Sequence, residues 1–320
     1  MISLYISFLI SLTITFLLLP WVIEKFTERK IVGIDMNKPD KRTVPEMGGL
    51  IVIIGFLFGV YSQIILFYLF SIGLNITPYL LASLLVLIGI GYVGLLDDLI
   101  GIRQSTKSVL PFFFALPLGT FISSSMKFPI IGFVDFGFLM LIIVPVAVTC
   151  ASNSVNMLEG FNGLSTGLGL IIALCLSIVA YNKQEYEGLY LLFPLLGALI
   201  AFFLFNKYPA RIFPGDTFTL FLGGCLACAA FASNLRLECA ILLMPMIVEF
   251  FLKARGNFGS QCFAQEVVDG VLKYEGRIES LTHVVMYYFD VTENKLVGVF
   301  WAIEIILATF VLLLSYTQVI

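Results

Sequence analysis

Apolar stretches of about 20 residues recur along this chain from end to end, separated by short polar segments. A stretch of that length is what a transmembrane helix needs. Short alternating segments, which are typical of a membrane β-barrel, are absent. The pattern therefore predicts an all-α, polytopic membrane bundle of about ten transmembrane helices. The predicted spans are 3–23, 47–70, 79–96, 108–125, 134–153, 164–181, 188–205, 216–232, 238–253 and 296–318.

Composition supports a membrane protein. The chain is 60% hydrophobic and 12% charged, with a mean hydropathy of +1.03, whereas soluble domains carry about 25% charged residues. The first stretch, Met1 to Pro20, lacks a basic leading segment and a small-residue cleavage site, so we expect a retained helix and not a signal peptide. We predict a single transmembrane catalytic domain over 1–320, with a longer cytoplasmic loop at about 254–295.

Basic residues are distributed unequally between the predicted loops. With the N-terminus outside, the inner loops hold 15 of the 18 Lys and Arg, and the outer loops hold only Lys127, Lys183 and Arg236. The positive-inside rule therefore predicts that both termini lie outside. The polar segments also fall on the inner side, at 35–46, 97–107, 153–162, 206–216 and 254–295. Such one-sided loops favour an active site on the cytoplasmic face, because a transporter places its polar groups near the midplane.

Two adjacent acids, Asp97 and Asp98, close the apolar run 80–96. Neighbouring carboxylates near a bilayer repel each other and need a counter-charge. Helix C-termini disfavour acids, which argues against a simple solvated helix end. Lys107 follows closely enough to fold back towards the pair, and its ammonium group can hold a phosphate. The segment is a candidate catalytic site.

Amide side chains form the second candidate. Asn153 and Asn156 are three residues apart, on one helix face, and Glu159 is expected to continue that face. Asparagine carbonyls are hard oxygen ligands that suit Mg²⁺. An Asn- and Gly-rich turn between two helices explains the segment equally well.

The third candidate surrounds a Pro-Gly break. Asp216 follows it directly and fits either a helix N-cap or a Mg²⁺ ligand. Arg211 is available to a phosphate, and Phe213 to stacking on a base. Both interpretations of Asp216 stay open from these residues alone.

Taken in order, these segments resemble the polyprenyl-phosphate N-acetylhexosamine-1-phosphate transferases. At Asn162 the chain resembles the archaeal and eukaryotic branch, the UDP-GlcNAc–dolichyl-phosphate GlcNAc-1-phosphate transferases, since bacterial relatives generally have Asp at this position. The matching pieces are Val44-Pro-Glu-Met-Gly-Gly49, Leu96-Asp-Asp98 with Lys107, Asn153-Ser-Val-Asn156 with Phe161-Asn-Gly-Leu164, and Phe213-Pro-Gly-Asp-Thr217.

The resemblance implies transfer of GlcNAc-1-phosphate from UDP-GlcNAc to a polyprenyl or dolichyl phosphate, with release of UMP. It implies Mg²⁺ as cofactor, with Mn²⁺ as the alternative, and membrane lipid but no nucleic acid as partner. A homodimer is left open. The expected location is an archaeal cell membrane, or the endoplasmic reticulum membrane if the chain is eukaryotic. The implied residues are Asn156 and Asp216 for the metal, Asp97, Asp98 and Lys107 for catalysis, and Glu46, Asn153, Asn162, Arg211, Phe213 and Arg255 for the substrates.

Two departures from the family pattern leave the sugar open. The last inner loop lacks the expected histidines, so that Arg255 is the remaining candidate for sugar recognition. Glu159 matches an acidic position of bacterial relatives, where eukaryotic ones tend to have a small residue. Transfer of another UDP-N-acetylhexosamine, for a different glycan, is one alternative. A transporter or lipid-carrier flippase without chemistry is the other.

Overall fold

The computed structural model describes residues 1–73, 75–128 and 132–317. Within these ranges the chain forms twelve α-helices. They are α1 (Ile2–Glu28), α2 (Gly49–Phe70), α3 (Pro78–Ile100), α4 (Gln104–Ala115), α5 (Met140–Leu158), α6 (Leu164–Asn182), α7 (Leu189–Asn206), α8 (Gly215–Ala232), α9 (Arg236–Leu242), α10 (Met244–Arg255), α11 (Leu281–Tyr288) and α12 (Glu293–Tyr316).

Eight helices in the described ranges are long and apolar enough to cross a membrane, namely α1, α2, α3, α5, α6, α7, α8 and α12. This confirms the prediction of a polytopic helical membrane protein. The other two predicted spans correspond to broken helices. The α4 helix continues into the 3₁₀ helix Leu116–Thr120, and α9 meets α10 at Leu243. Proline at the start of each second part, Pro117 and Pro245, explains the breaks, because proline lacks an N–H.

Some helix boundaries differ from the predicted spans. The α3 helix runs past residue 96 to Ile100, so Asp97 and Asp98 lie in its last turns. The span expected at 134–153 instead begins as a strand, and its α-helix starts at Met140. Residue 318, the end of the last predicted span, lies outside the described residues.

Three short antiparallel hairpins connect the helices. They are β1 (Val32–Ile34) with β2 (Thr43–Pro45), β3 (Ser125–Phe128) with β4 (Gly132–Asp135), and β5 (Glu266–Val268) with β6 (Val271–Lys273). Each strand has three or four residues. Strands this short show too few alternations to be recognised in the sequence.

The α8 helix forms the centre of the bundle, since every residue from Thr217 to Ala232 is buried. It packs closely against α3 and α5 through glycines. A Cβ atom at Gly94 of α3 would lie 2.5 Å from the Asp216 carbonyl oxygen, and one at Gly223 of α8 would collide with the Ala151 carbonyl oxygen of α5. These contacts bring the C-terminal ends of α3 and α5 to the N-terminal end of α8.

The predicted inner segments meet at that same end of the bundle. The Asp98 carboxylate accepts a hydrogen bond from the Asp216 N–H at 2.7 Å. The Asn37 amide donates to the Gly160 carbonyl oxygen at 2.8 Å. The Cys262 thiol, from the long loop after α10, lies 2.9 Å from the Glu159 carbonyl oxygen. That this end faces the cytoplasm stays a prediction.

Candidate active site

Lys107 lies between two carboxylates at the centre of the site. Its ammonium nitrogen is 2.7 Å from Asp97 Oδ2 and also hydrogen-bonds Asp216 Oδ2. Three helices therefore meet here. The α3 and α8 helices supply the two carboxylates, and α4 supplies the ammonium group. Lys107 is only 7% exposed. Burial strengthens such ion pairs. Removing either partner lowers the stability of the fold, because the remaining buried charge loses a partner.

Asp98 caps the helix that carries Asp216. Asp98 Oδ1 accepts from the Asp216 N–H at 2.7 Å, and Oδ2 accepts from the Thr217 N–H at 3.0 Å and the Thr217 hydroxyl at 2.6 Å. The first N–H groups of a helix have no partner within it, and a negative charge there also suits the helix dipole. Asp216 itself lies in the first turn of α8. Asp98 thus replaces the N-cap role considered for Asp216, whose carboxylate is directed at Lys107.

Asn156 lies beside Asp216, as the resemblance implies for a shared metal site. Its Nδ2 is 3.3 Å from Asp216 Oδ2, and its Oδ1 accepts from the Thr219 hydroxyl at 2.9 Å. The sequence reasoning did not single out Thr219, which lies one turn beyond Asp216 on α8.

The carboxylate oxygens at this centre are of the type that a hard divalent cation prefers, and the Asn156 amide turns its nitrogen to Asp216 and its oxygen to Thr219. Carboxylates of Asp97 and Asp216 converge on one cationic group, and the Asn156 amide is adjacent. The described residues contain no group of three or more His, Cys, Asp or Glu side chains arranged for a metal. Mg²⁺ keeps several waters and uses one or two protein carboxylates, so a set of two carboxylates is compatible with the predicted metal. The metal itself stays a prediction.

The Lys107 cluster consists of Asp97, Lys107, Asn156 and Asp216. Glu46 and Phe213 border this cluster on the side of Asp98. Burial raises the pKa of the Glu46 carboxyl above its ordinary value, and the nearby charge of Asp98 raises it further. Phe213 is anchored through its backbone, where its N–H donates to the Pro45 carbonyl oxygen at 2.7 Å. A Cβ at Gly33 would lie 2.9 Å from Glu46 Oε2 and 3.2 Å from the Phe213 ring, so this glycine leaves room for both side chains.

The two other predicted asparagines bond to protein groups. Asn153 Nδ2 donates to the carbonyl oxygens of Ser108 at 3.0 Å and Thr149 at 2.9 Å, which ties α5 to α4 behind Lys107. Asn162 is buried and donates from Nδ2 to Asp35 Oδ2 at 3.2 Å. Neither side chain hydrogen-bonds the Lys107 cluster in the described part of the chain.

The two predicted arginines are exposed. The Arg211 guanidinium lies over the Phe205 ring at 4.7 Å, and Arg255 donates to the Ile278 carbonyl oxygen. Within the described ranges no ion pair links either arginine to the carboxylates of the site. Their roles in substrate binding stay predictions.

Glu159 caps α6, which the sequence did not predict. The α5 helix ends at Leu158, so the expectation that Glu159 continues the Asn156 face is wrong. Its Oε2 accepts from the Ser165 N–H at 3.3 Å, at the start of α6. Burial raises the pKa of this carboxyl to about 7.

An apolar groove of about 440 Å³ runs between α5, α8, α9 and α10. Ser154, two residues before Asn156 in the chain, lines the groove at the end nearer the Lys107 cluster. Ile143, eleven residues earlier on α5, lines it further from the cluster. At a rise of 1.5 Å per residue, the groove follows roughly 16 Å of that helix. Among its lining residues are Ile143, Ala147, Ser154, Ala230, Leu243 and Phe250.

The fold and the Lys107 cluster together describe a polytopic membrane protein with a charged centre at the helix ends and an apolar groove beside it.

Residues 80–234 match the model for glycosyl transferase family 4. A protein of Saccharolobus solfataricus, provisionally named as a UDP-N-acetylglucosamine–dolichyl-phosphate N-acetylglucosaminephosphotransferase, is 36% identical over 99% of this chain and 98% of its own length.

Two further relatives carry the same activity in their names. That of Sulfolobus acidocaldarius, again provisionally named, is 34% identical over 96% of this chain and 95% of its own length. The enzyme of Schizosaccharomyces pombe is 28% identical over 77% of this chain and 65% of its own length. The chain belongs to glycosyl transferase family 4, the polyprenyl-phosphate N-acetylhexosamine-1-phosphate transferases, and is a membrane-embedded transferase.

Proposed function

We propose that this protein transfers GlcNAc-1-phosphate from UDP-GlcNAc to a polyprenyl phosphate of the dolichyl type, giving GlcNAc-diphospho-lipid and UMP at the cytoplasmic face. The observation that carries the proposal is the convergence of Asp97 and Asp216 on the buried Lys107 beside Asn156. The names of the relatives in Saccharolobus and Schizosaccharomyces support the donor and the acceptor. An archaeal cell membrane is the proposed location.

The proposed reaction is an in-line displacement. An oxygen of the lipid phosphate forms a bond to the β-phosphorus of UDP-GlcNAc, and the bond from that phosphorus to the bridging oxygen breaks. The electron pair leaves with UMP. Phosphoryl transfer depends on positioning and charge neutralisation more than on covalent catalysis. Lys107 is suited to both, because Asp97 and Asp216 hold its ammonium group in place and the diphosphate supplies further negative charge.

The attacking phosphate needs little help from a base. The second pKa of a phosphate monoester is about 6, so the lipid phosphate is largely ionised at neutral pH. Asp97 then acts by orienting Lys107 and by shaping the field around the incoming phosphate. Asp98 acts through Asp216, whose helix it caps.

Asp216 and Asn156 would hold Mg²⁺, with Asp97 next to them. When bound, the metal supplies charge neutralisation at the diphosphate and the leaving UMP. Chelation of divalent metal is expected to abolish turnover, and added Mg²⁺ to restore it. An unchanged rate of turnover in the presence of chelator would contradict a role for the metal.

The acceptor's isoprenoid chain fits the apolar groove between α5 and α8–α10. The groove is lined almost wholly by apolar side chains, and its end at Ser154 lies only about 3 Å along the α5 axis from the level of Asn156. A chain in the groove would therefore present its phosphate towards the Lys107 cluster. Substitution of Ala147 by Trp, which fills the groove, is expected to raise the KM for the lipid and to leave the KM for UDP-GlcNAc unchanged.

A donor and acceptor panel tests the proposed function. Purified protein is incubated with UDP-GlcNAc, UDP-GalNAc or UDP-glucose, each with and without dolichyl phosphate, and UMP and the lipid product are measured. We expect both products only from UDP-GlcNAc with the lipid present. Asp216→Ala should abolish turnover while the protein still folds, with a cooperative thermal transition at a lower melting temperature because Lys107 loses one ion-pair partner. Binding of UDP-GlcNAc without any lipid product would overturn the proposal.

A further inference from the structure

A second buried polar cluster lies beside the site, centred on Glu293 at the start of α12. Glu293 Oε1 accepts from the Asn162 backbone N–H at 2.8 Å, and Oε2 pairs with Lys38. Glu293 is 3% exposed. A buried carboxylate with one charged partner and one N–H donor is well compensated, so it holds both partners firmly.

The cluster extends from Glu293 to the loop between β1 and β2. Lys38 is also 3.5 Å from Asp35 Oδ2, and Arg42 lies 3.6 Å from the same oxygen. Asp35 in turn accepts from the Asn162 side chain at 3.2 Å. Both the backbone and the side chain of Asn162 are thus held by acids from distant parts of the chain, 131 and 127 residues away.

The segment held in this way is the turn 159–163, which joins α5 to α6. Asn156 lies only three residues before the turn, in the last turn of α5. Asn37 adds a third tie, because its amide donates to the Gly160 carbonyl oxygen at 2.8 Å. The turn is therefore held by the β1–β2 loop and by α12, in addition to the cap that Glu159 provides on α6.

We propose that Glu293 is a positioning residue for the nucleotide-sugar donor, acting through the Asn162 backbone N–H on the turn 159–163. This rests on the proposed function, in which the diphosphate of UDP-GlcNAc binds beside Asn156, and Asn156 lies three residues before the turn. Glu293 touches neither Lys107 nor Asp216 in the described contacts, so its loss leaves the two ion pairs of Lys107 in place and acts on donor binding through the turn.

Two substitutions of Glu293 separate its contacts. Glu293→Gln keeps a side-chain oxygen for the Asn162 N–H and loses the charge that pairs with Lys38. Glu293→Met loses both. If the hydrogen bond to Asn162 carries the effect, the Gln variant behaves nearly as wild type in donor binding and the Met variant does not.

Glu238 provides the matched control. It is also a buried glutamate, 2% exposed, and it pairs with a lysine, Lys183. Lys183 follows the far end of α6, which starts next to the turn. Nineteen residues of helix separate the two ends by roughly 28 Å. Glu238→Met therefore removes a buried ion pair of the same kind far from the donor.

The experiment measures kcat, the KM values for UDP-GlcNAc and lipid, the Kd for UDP-GlcNAc by calorimetry, and the melting temperature. We expect Glu293→Met to raise the KM and Kd for UDP-GlcNAc about tenfold, as is common when a partner that orients a binding residue is lost. Its kcat and lipid KM should change little. Glu293→Gln should recover most of the affinity, and Glu238→Met should lower the melting temperature without moving the donor constants.

Three results would overturn the positioning role of Glu293. They are an unchanged donor Kd in Glu293→Met, an equal shift in Glu238→Met, and a Gln variant as weak as the Met variant. Failure of the proposed function looks different, since wild-type protein would then bind UDP-GlcNAc and form no lipid product. The role of Glu293 is in that case still judged on the Kd values. Wild-type protein that does not bind UDP-GlcNAc would overturn both.

Discussion

Lys107 illustrates how one residue holds the site together. Without its ammonium group, Asp97 and Asp216 would face each other as two carboxylates with no cation between them, and like charges at that range disfavour ionisation of both. The sequence suggested this lysine from its distance to the Asp97–Asp98 pair. It did not suggest that the second acid around Lys107 would be Asp216 and not Asp98.

We expect Lys107→Met to lower kcat by about 100-fold or more, because a buried charge that neutralises the transferred phosphate is removed. Steady-state release of UMP measures the effect. Lys25→Met serves as control, since Lys25 forms an exposed pair with Glu28 and should be silent. Near wild-type turnover in Lys107→Met would show that the lysine has only a structural role.

His283, the single histidine, gives a pH-dependent prediction. It is buried, stacks on Tyr274 with ring centres 3.7 Å apart, and has its pKa lowered from 6.5 to about 4 by burial. The unfolded chain thus takes up a proton near pH 6.5, whereas the folded chain resists it down to about pH 4. Stability from this residue is complete above pH 6.5 and is lost as the pH falls towards 4.

This prediction is tested by measuring the melting temperatures of wild type and His283→Gln from pH 4 to 7. That range covers the ordinary histidine pKa of 6.5 and reaches down to the pKa of about 4 in the folded protein. The variant should lose less stability on acidification than the wild type. Raised pKa values at Glu46 and Glu159 act with the opposite sign in both proteins, so the difference between the curves isolates the histidine. Parallel curves would contradict the prediction.

Helix α8 is the element on which the site depends. It is buried along nearly its whole length, and its first turn carries Asp216, is capped by Asp98, and lies against Gly94. Length and hydropathy predicted this helix and its neighbours, because both are local properties. The closeness of the α3–α8 crossing depends on which glycines face each other, and a single sequence does not reveal that.

Gly94→Ala is expected to reduce turnover about tenfold or more. An added Cβ would lie 2.5 Å from the Asp216 carbonyl oxygen, which forces the first turn of α8 to move, and shifts of about 1 Å at a reacting centre are costly. Gly298→Ala in α12 is the matched control, since among the described residues no atom beyond the neighbouring backbone of α12 lies within 4 Å of its added Cβ. That variant should keep its activity and gain up to about 1 kcal/mol from helix propensity. Equal turnover in the two variants would refute the close-crossing argument.

At the scale of the whole molecule, the helices separate two chemically different ends. Polar segments from five parts of the chain meet around Lys107 and Glu293, while Asn234 and Lys183 lie at the other end, after α8 and α6. The excess of basic residues in the first set predicts that this end faces the cytoplasm.

Cysteine labelling tests the orientation. In a Cys150→Ser background, which removes the one exposed native cysteine, Lys207→Cys and Asn234→Cys place single thiols at exposed positions of opposite ends. In vesicles of known sidedness, a membrane-impermeant maleimide should label residue 207 from the cytoplasmic side only and residue 234 from the outer side only. Labelling of both from one side would contradict the ten-span topology.

The sequence by itself determined the membrane-spanning helices, the segregation of polar residues into one set of loops, and the residue types of the cluster around Lys107, since helix length, hydropathy and motif order are local properties. Only the tertiary structure decided which groups are partners. Asp98 caps a helix 118 residues away, Asn162 bonds Asp35 and Glu293, and Arg211 packs on Phe205. Such pairings depend on how helices approach each other, which is set by packing across the whole bundle and not by any one segment.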